Sequence, residues 1–170
     1  LENIDFSKIK NNIIIFEQKM FYYKFNLFYS DFIWQGTKGT KSKNFLSPQW
    51  LRNIKGKKYS KWRLDTLFSK KKYSNLFFIK NGGWHFAYLR TPEELEKKLL
   101  NFAHHYEFEE SGLKINDLKK LISEKRVIYD HNLDQKEYKW SGKSILEKVE
   151  LNLLPNYISE NIDMYRKWLD

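Results

Sequence analysis

The sequence predicts a mixed α/β domain, and three observations carry that prediction. Two short apolar runs, Ile13–Phe16 and Leu76–Ile79, have the length and the β-branched and aromatic content of buried strands. Thr91-Pro92-Glu93-Glu94 is a helix start, with Thr91 as N-cap, proline in the first position and Glu94 closing a capping box. Strand-like and helix-like stretches follow one another with no internal repeat and no low-complexity linker, so the 170 residues suit one domain with one hydrophobic core.

Each element follows from local chemistry. After Ile13–Phe16 come Glu17, Gln18 and Lys19, then Met20 to Tyr29, where aromatics alternate irregularly with Lys24 and Asn26; this reads as a second strand of a mixed sheet. Ile33 to Lys43 holds Trp34, Gly36 and Gly39 in polar surroundings and reads as a bent strand or a hairpin. Ser47-Pro48 combines an N-cap with a first-turn proline and opens a short helix, SPQWLRNI, that ends near Gly56. Leu76–Ile79 leads into Asn81-Gly82-Gly83, whose glycines allow positive φ or close approach of a ligand. Trp84 to Leu89 continues as a strand with Trp84 and Phe86 on one face and His85 on the other. The helix from Thr91 lines up Leu95, Leu99 and Phe102 and runs to about His104. Ile115 to Arg126 forms a second amphipathic helix that buries Leu118, Leu121 and Ile122. Tyr129 to Tyr138 is polar and loop-like, and Ile145 to Leu151 alternates like an edge strand. Pro155 opens a closing helix whose Tyr157, Ile158, Ile162, Tyr165 and Leu169 dock on the body.

Composition bounds the chemistry. The formal charge is +10, from 31 Lys and Arg against 21 acids, and Lys38 to Lys80 contains 13 basic residues and the single acid Asp65. Such a run attracts nucleic acid, anionic lipid or a diphosphate, although Lys dominance argues against base-specific readout. An AT-rich genome also produces this Lys, Asn, Ile, Phe and Tyr bias. Aromatics at 18% exceed what one core absorbs, and surface aromatics suit flat or apolar ligand faces such as sugars or bases. The absence of cysteine excludes disulfides and Cys-ligated zinc. No apolar run approaches the roughly 18 residues needed to span a membrane. The start at Leu1 suggests a fragment of a longer protein.

Three of four histidines, His85, His104 and His105, lie between Lys80 and Glu107. His85, on a strand after a diglycine, suits a metal ligand or a hydrogen-bonded structural residue. His104, His105 and Glu107 fall where a helix ends; their spacing excludes HExxH, and Glu107 has the chemistry of a general base toward a hydroxyl. Gln49 and Arg52 are placed either to reach a ligand or to support the short helix. There is no P-loop, GxGxxG, GxSxG or Asp-x-Asp pair.

Gly82-Gly83-Trp84-His85-Phe86, Thr91-Pro92-Glu93, Lys98-Leu99 and Phe102-Ala103-His104 resemble the GWH–TPE–KL–FAH block of glycosyltransferase family 17. FEQKMFYYKFNL, Trp34-x-Gly36 and SPQWLR upstream, and the closing PNYISENIDMYRKWLD downstream, resemble family segments in the same order. The resemblance covers nearly the whole chain. It implies a GT-A-like mixed sheet flanked by helices and incomplete at the N-terminus. Residues 1–170 would then be the acceptor-side, C-terminal part of the catalytic domain, inactive alone. It further implies an inverting, metal-dependent β-1,4 transfer of N-acetylglucosamine from UDP-N-acetylglucosamine to a mannose or other glycan hydroxyl. The divalent metal would be Mn2+, and the family's acidic Asp-x-Asp motif would precede Leu1. Within that reading Glu107 is the candidate base and His85 a late metal ligand. Trp34, Gln49, Arg52, Trp84 and His104 are candidates for substrate binding, the two tryptophans as sugar platforms (or, for Trp84, a core residue). A glycan or polysaccharide is the expected acceptor, no nucleic acid is expected, and peripheral membrane association is compatible with the charge. Localisation stays open between a cytoplasmic or membrane-associated microbial enzyme and, by analogy with animal relatives of N-glycan biosynthesis, the Golgi membrane. The alternative is a non-enzymatic, basic nucleic-acid-binding domain.

Overall fold

A computed structural model describes residues 4–60, 62–102, 105–134 and 136–170. The chain is mixed α/β and packs as two compact units, each with its own sheet: the described residues through Gln18 with Ile33–Gly83, and Lys19–Phe32 with Trp84–Asp170.

In the first unit the central strand is β1 (Ile13–Phe16). Strand β4 (Lys38–Thr40) pairs with it antiparallel and β5 (Leu76–Ile79) parallel. A central strand is covered on both faces, which is why β1 is a continuous apolar run rather than an alternating one. Ile13 and Ile15 pack with Ile54, Leu76, Trp50 and Tyr73 on one face, and Ile14 packs with Ile9, Ile79 and Phe16 on the other. Helix α1 (Pro48–Asn53) begins where Ser47 Oγ accepts the Trp50 amide at 3.1 Å, as the sequence predicts. Its end is held by Lys38, whose Nζ donates to the carbonyls of Arg52 at 2.8 Å and Ile54 at 2.6 Å. Helix α2 (Leu64–Leu67) is a single turn. Gly82 is used for packing: a Cβ there would lie 3.0 Å from both the Ile79 carbonyl and Phe16, so the close approach is to the protein itself.

The second unit has the sheet order β6-β2-β3-β7. The single strand expected over Met20 to Tyr29 is two, β2 (Gln18–Tyr22) and β3 (Leu27–Trp34). Tyr23 turns the chain at φ 61°, and at the end of that turn the buried Asn26 side chain accepts the Asp170 amide at 2.9 Å. Strand β6 (Trp84–Ala87) runs parallel to β2, and β7, only Glu147–Lys148, pairs antiparallel with β3.

Helix α3 (Pro92–Leu100) has the predicted capping box and buries Leu95 and Leu99. It stops earlier than the sequence suggests. The Asn101 amide bonds back to the Lys98 carbonyl at 3.2 Å, and a separate helix, α4 (His105–Ser111), follows. His105 and Glu107 therefore lie in the first turn of a helix, not at a helix end. Helix α5 (Ile115–Ser123) buries Leu118, with Asp117 accepting the Lys114 amide at 2.9 Å. The closing helix is broken into α6 (Asn156–Glu160), α7 (Ile162–Tyr165) and a 3-10 turn, because Asn161 leaves helical geometry at φ −115° and ψ 36°. Ile158, Tyr165 and Leu169 dock as expected and Trp168 joins them, whereas Tyr157 stays in solvent.

Candidate functional site

The two faces of the second unit's sheet have different chemistry. One buries Phe21 and Phe25, with Phe28 and Phe86 beside them, under the C-terminal helices. The other carries Tyr22, Tyr29 and His85 under the segment Val127–His131. There the Tyr22 hydroxyl donates to the Tyr129 carbonyl at 3.0 Å, and Tyr23 donates to the Arg126 carbonyl at 2.9 Å. Val127 and Ile128 are fully buried, so this segment is clamped to the sheet by both apolar packing and phenol hydrogen bonds.

Asp130, at 0% exposure, is the anchor of that segment. It accepts from the Tyr29 hydroxyl and the Ser144 hydroxyl at 2.5 Å each, and from the Asn132 amide at 3.0 Å. Burial pushes its pKa up, but these three donors outweigh burial and hold it below the usual 3.8. On either side of it, Tyr129 and His131 meet edge to face at 4.9 Å, and His131 stacks on Phe32 at 5.0 Å. Burial, helped by Lys139, pushes His131 down to about 4. Burial, with Lys98 nearby, also lowers His85, whose charge would repel that of His131. Both imidazoles are thus neutral at physiological pH.

Next to this face lies a cavity of about 470 Å³ lined by Glu107, Glu110 and Ser111 of α4 and by Tyr129, Glu137, Tyr138, Lys139 and Trp140 of the long loop before β7. Trp140 is wedged between Phe108 at 5.5 Å and Tyr129 at 5.2 Å, and Lys139 Nζ sits 5.7 Å from the Tyr129 ring centre. The exposed Tyr138 ring is fixed by a 3.2 Å bond from its hydroxyl to the Ser111 carbonyl. Burial raises the Tyr129 phenol, and the negative charge of Glu107 adds to the shift. Preset aromatic faces, a lysine and carboxylates around one open cavity suit a polyhydroxylated ligand.

The sequence-predicted residues divide between the two units. Glu107, exposed at the cavity wall, His85 and Trp84 belong to the second unit. Trp84 is 40% exposed and pinned by its Nε1–H, which donates to the Leu153 carbonyl at 2.6 Å. It and Phe86 do share the sheet face opposite His85. Trp34, Gln49 and Arg52 belong to the first unit. There the Trp34 indole lies against Gly36, Gln49 donates to Asn53 at 3.2 Å, and the Arg52 side chain is exposed. His104 lies outside the described residues. Among the described residues no group of three His, Asp or Glu side chains could hold a metal ion. His85 provides one neutral imidazole and the sequence has no Asp-x-Asp pair, so the described residues do not by themselves form a metal site.

A polar-loop reading of Tyr129 to Tyr138 misses Tyr129, Asp130 and His131, and Trp140 lies just beyond it in a stretch given no element. The signal was there in VIYDH: an apolar pair followed directly by three hydrogen-bonding side chains, the pattern of a buried segment delivering a polar cluster. The chain matches no protein-family model, no curated protein and no solved structure. Among the described residues no helix is long and apolar enough to cross a membrane.

Proposed function

We propose that the protein is part of a GT-A-type glycosyltransferase that moves N-acetylglucosamine from UDP-N-acetylglucosamine to a glycan hydroxyl, with inversion and a β-1,4 linkage. The observation that carries this reading is that Glu107, the base candidate chosen from its chemistry and its place just after the resembling block, lines an aromatic-walled cavity with Tyr129, Tyr138 and Trp140. The acceptor sugar would lie against the aromatic walls, with Glu107 taking the proton of the attacking hydroxyl. That oxygen bonds to the donor's anomeric carbon as the bond to the diphosphate breaks and UDP leaves. A divalent metal, Mn2+ by the resemblance, would supply charge neutralisation at the diphosphate; the described residues do not close a site for it.

The test uses the longest protein that the gene encodes. It is incubated with UDP-sugars, manganese and oligosaccharide acceptors, and UDP release is followed with and without a chelator. Chelator-sensitive release selective for UDP-N-acetylglucosamine is the expected result. In parallel, glycan binding to the 170-residue chain is read by tryptophan fluorescence. Absence of both UDP release and glycan binding would overturn the reading.

A further inference from the structure

The first unit exposes large apolar side chains that its own core does not use. Around α2, Trp62 is 93% exposed, Leu64 73% and Phe68 88%. These three follow one another through a single short turn and helix, set in a basic stretch. Residues 57–72 contain seven Lys or Arg and one acid, Asp65. That acid is already neutralised: Arg63 holds both its oxygens at 2.8 Å, and Lys72 approaches at 2.6 Å. Hydrogen bonds from Arg63 and then Lys72 hold its carboxyl at about 2. Lys57, Lys58, Lys70 and Lys71 are exposed and lack an acid of their own within this stretch.

We propose that residues 57–72 seat the protein on an anionic lipid surface, with Trp62, Leu64 and Phe68 entering the headgroup–acyl boundary and the flanking lysines meeting lipid phosphates. Tryptophan and phenylalanine at a basic surface are the usual partners of that boundary, and polybasic segments bind anionic leaflets through diffuse charge. Other occupants fit less well. Leu64 has no ring to stack on a base, and nucleic-acid readout favours arginine, of which this stretch has only Arg63. A second copy of a chain carrying +10 would bring the same basic face against itself. The inference is independent of the glycosyltransferase reading, because vesicle binding can be measured without turnover.

The experiment is flotation of the chain with vesicles of phosphatidylcholine alone, or containing about 30% phosphatidylglycerol, at about 0.15 M salt. Co-flotation with the anionic vesicles only is expected. The pair Trp62→Ala and Phe68→Ala should lower partitioning by about tenfold or more, and Lys70→Glu with Lys71→Glu should do the same. Circular dichroism of each variant should match the parent, since the altered side chains are exposed. Three outcomes would overturn the proposal: no flotation of the parent, apolar variants that float as well as the parent, or salt-sensitive oligonucleotide binding without vesicle binding.

Discussion

The hydroxyl of Tyr29 donates to Asp130 Oδ1 across 2.5 Å inside the second unit, joining strand β3 to the segment that carries Tyr129 and His131. Burial, then the Asp130 hydrogen bond, pushes Tyr29 up to about 12, so it remains a donor throughout the neutral range. Tyr29→Phe removes one of three donors to a buried carboxylate and should cost about 1–3 kcal/mol. Asp130 sits below its ordinary 3.8 in the folded protein. Its stabilising contribution is therefore fully present above about pH 4 and is lost as pH falls through the lower folded value. Urea denaturation from pH 7 to pH 3 should show this loss in the parent and not in Asp130→Asn, which should be less stable at neutral pH.

His131 titrates in a different window. Its folded value of about 4 lies below the ordinary 6.5, so the unfolded chain binds the extra proton first. No penalty exists above about pH 6.5; stability then falls with pH, at up to about 1.4 kcal/mol per unit, until His131 is protonated in both states near pH 4. His131→Gln should flatten that slope between pH 6.5 and 4. A variant as pH-sensitive as the parent in that interval would show that other groups set the slope.

Gly36 offers a test of the Trp34-x-Gly36 pair in the first unit. A Cβ at Gly36 would lie 2.5 Å from the Trp34 indole, so Gly36→Ala must displace the ring. The expected cost is about 1–3 kcal/mol, with a shift in tryptophan emission. Unchanged emission and stability would mean that the indole is not held there.

These residues also show what was legible in the sequence. The capping box at Thr91 and the N-cap at Ser47 were readable because a cap is a local contract between residues three positions apart. Ile13–Phe16 was readable because burial on both faces leaves no polar positions. The division of Met20 to Tyr29 was not readable, because the turn between the two strands is held from far along the chain, Phe25 by the Trp168 carbonyl and the Asn26 side chain by the Asp170 amide. The break after Leu100 was hidden for a related reason, since helical periodicity continues past it. Glu107 was a candidate from its carboxylate and its place in the chain, but its cavity depends on Tyr129, Tyr138 and Trp140 from a distant loop. Their polar, irregular context carries no periodic signal.

Tyr138 separates ligand binding from folding at that cavity. Its ring is exposed and its hydroxyl bonds to the Ser111 carbonyl at the rim, so Tyr138→Ala should leave the denaturation midpoint nearly unchanged. Removing a preset aromatic face should weaken oligosaccharide binding roughly tenfold. Trp140→Ala makes a useful contrast: Trp140 packs on Phe108, so that variant should lose about 3–5 kcal/mol of stability together with binding. Equal glycan affinity in Tyr138→Ala and the parent would move the acceptor site elsewhere.

Glu107 gives the sharpest test of the chemistry. Its carboxylate is exposed at the cavity wall in the first turn of α4, so Glu107→Gln preserves shape and should preserve the fold and the affinity for acceptor. A base acts only as the hydroxyl proton leaves, so the loss should fall on kcat, by about 10²–10⁴-fold, with KM for acceptor and donor little changed. Donor hydrolysis to water would also be depressed if the same carboxylate activates water in place of the sugar. Parallel assays of Glu110→Gln and Glu137→Gln, which line the same cavity, control for general charge removal. A kcat loss confined to Glu107→Gln assigns the proton transfer to that residue, whereas equal modest losses in all three would reduce the carboxylates to an electrostatic lining and leave the base to be found elsewhere.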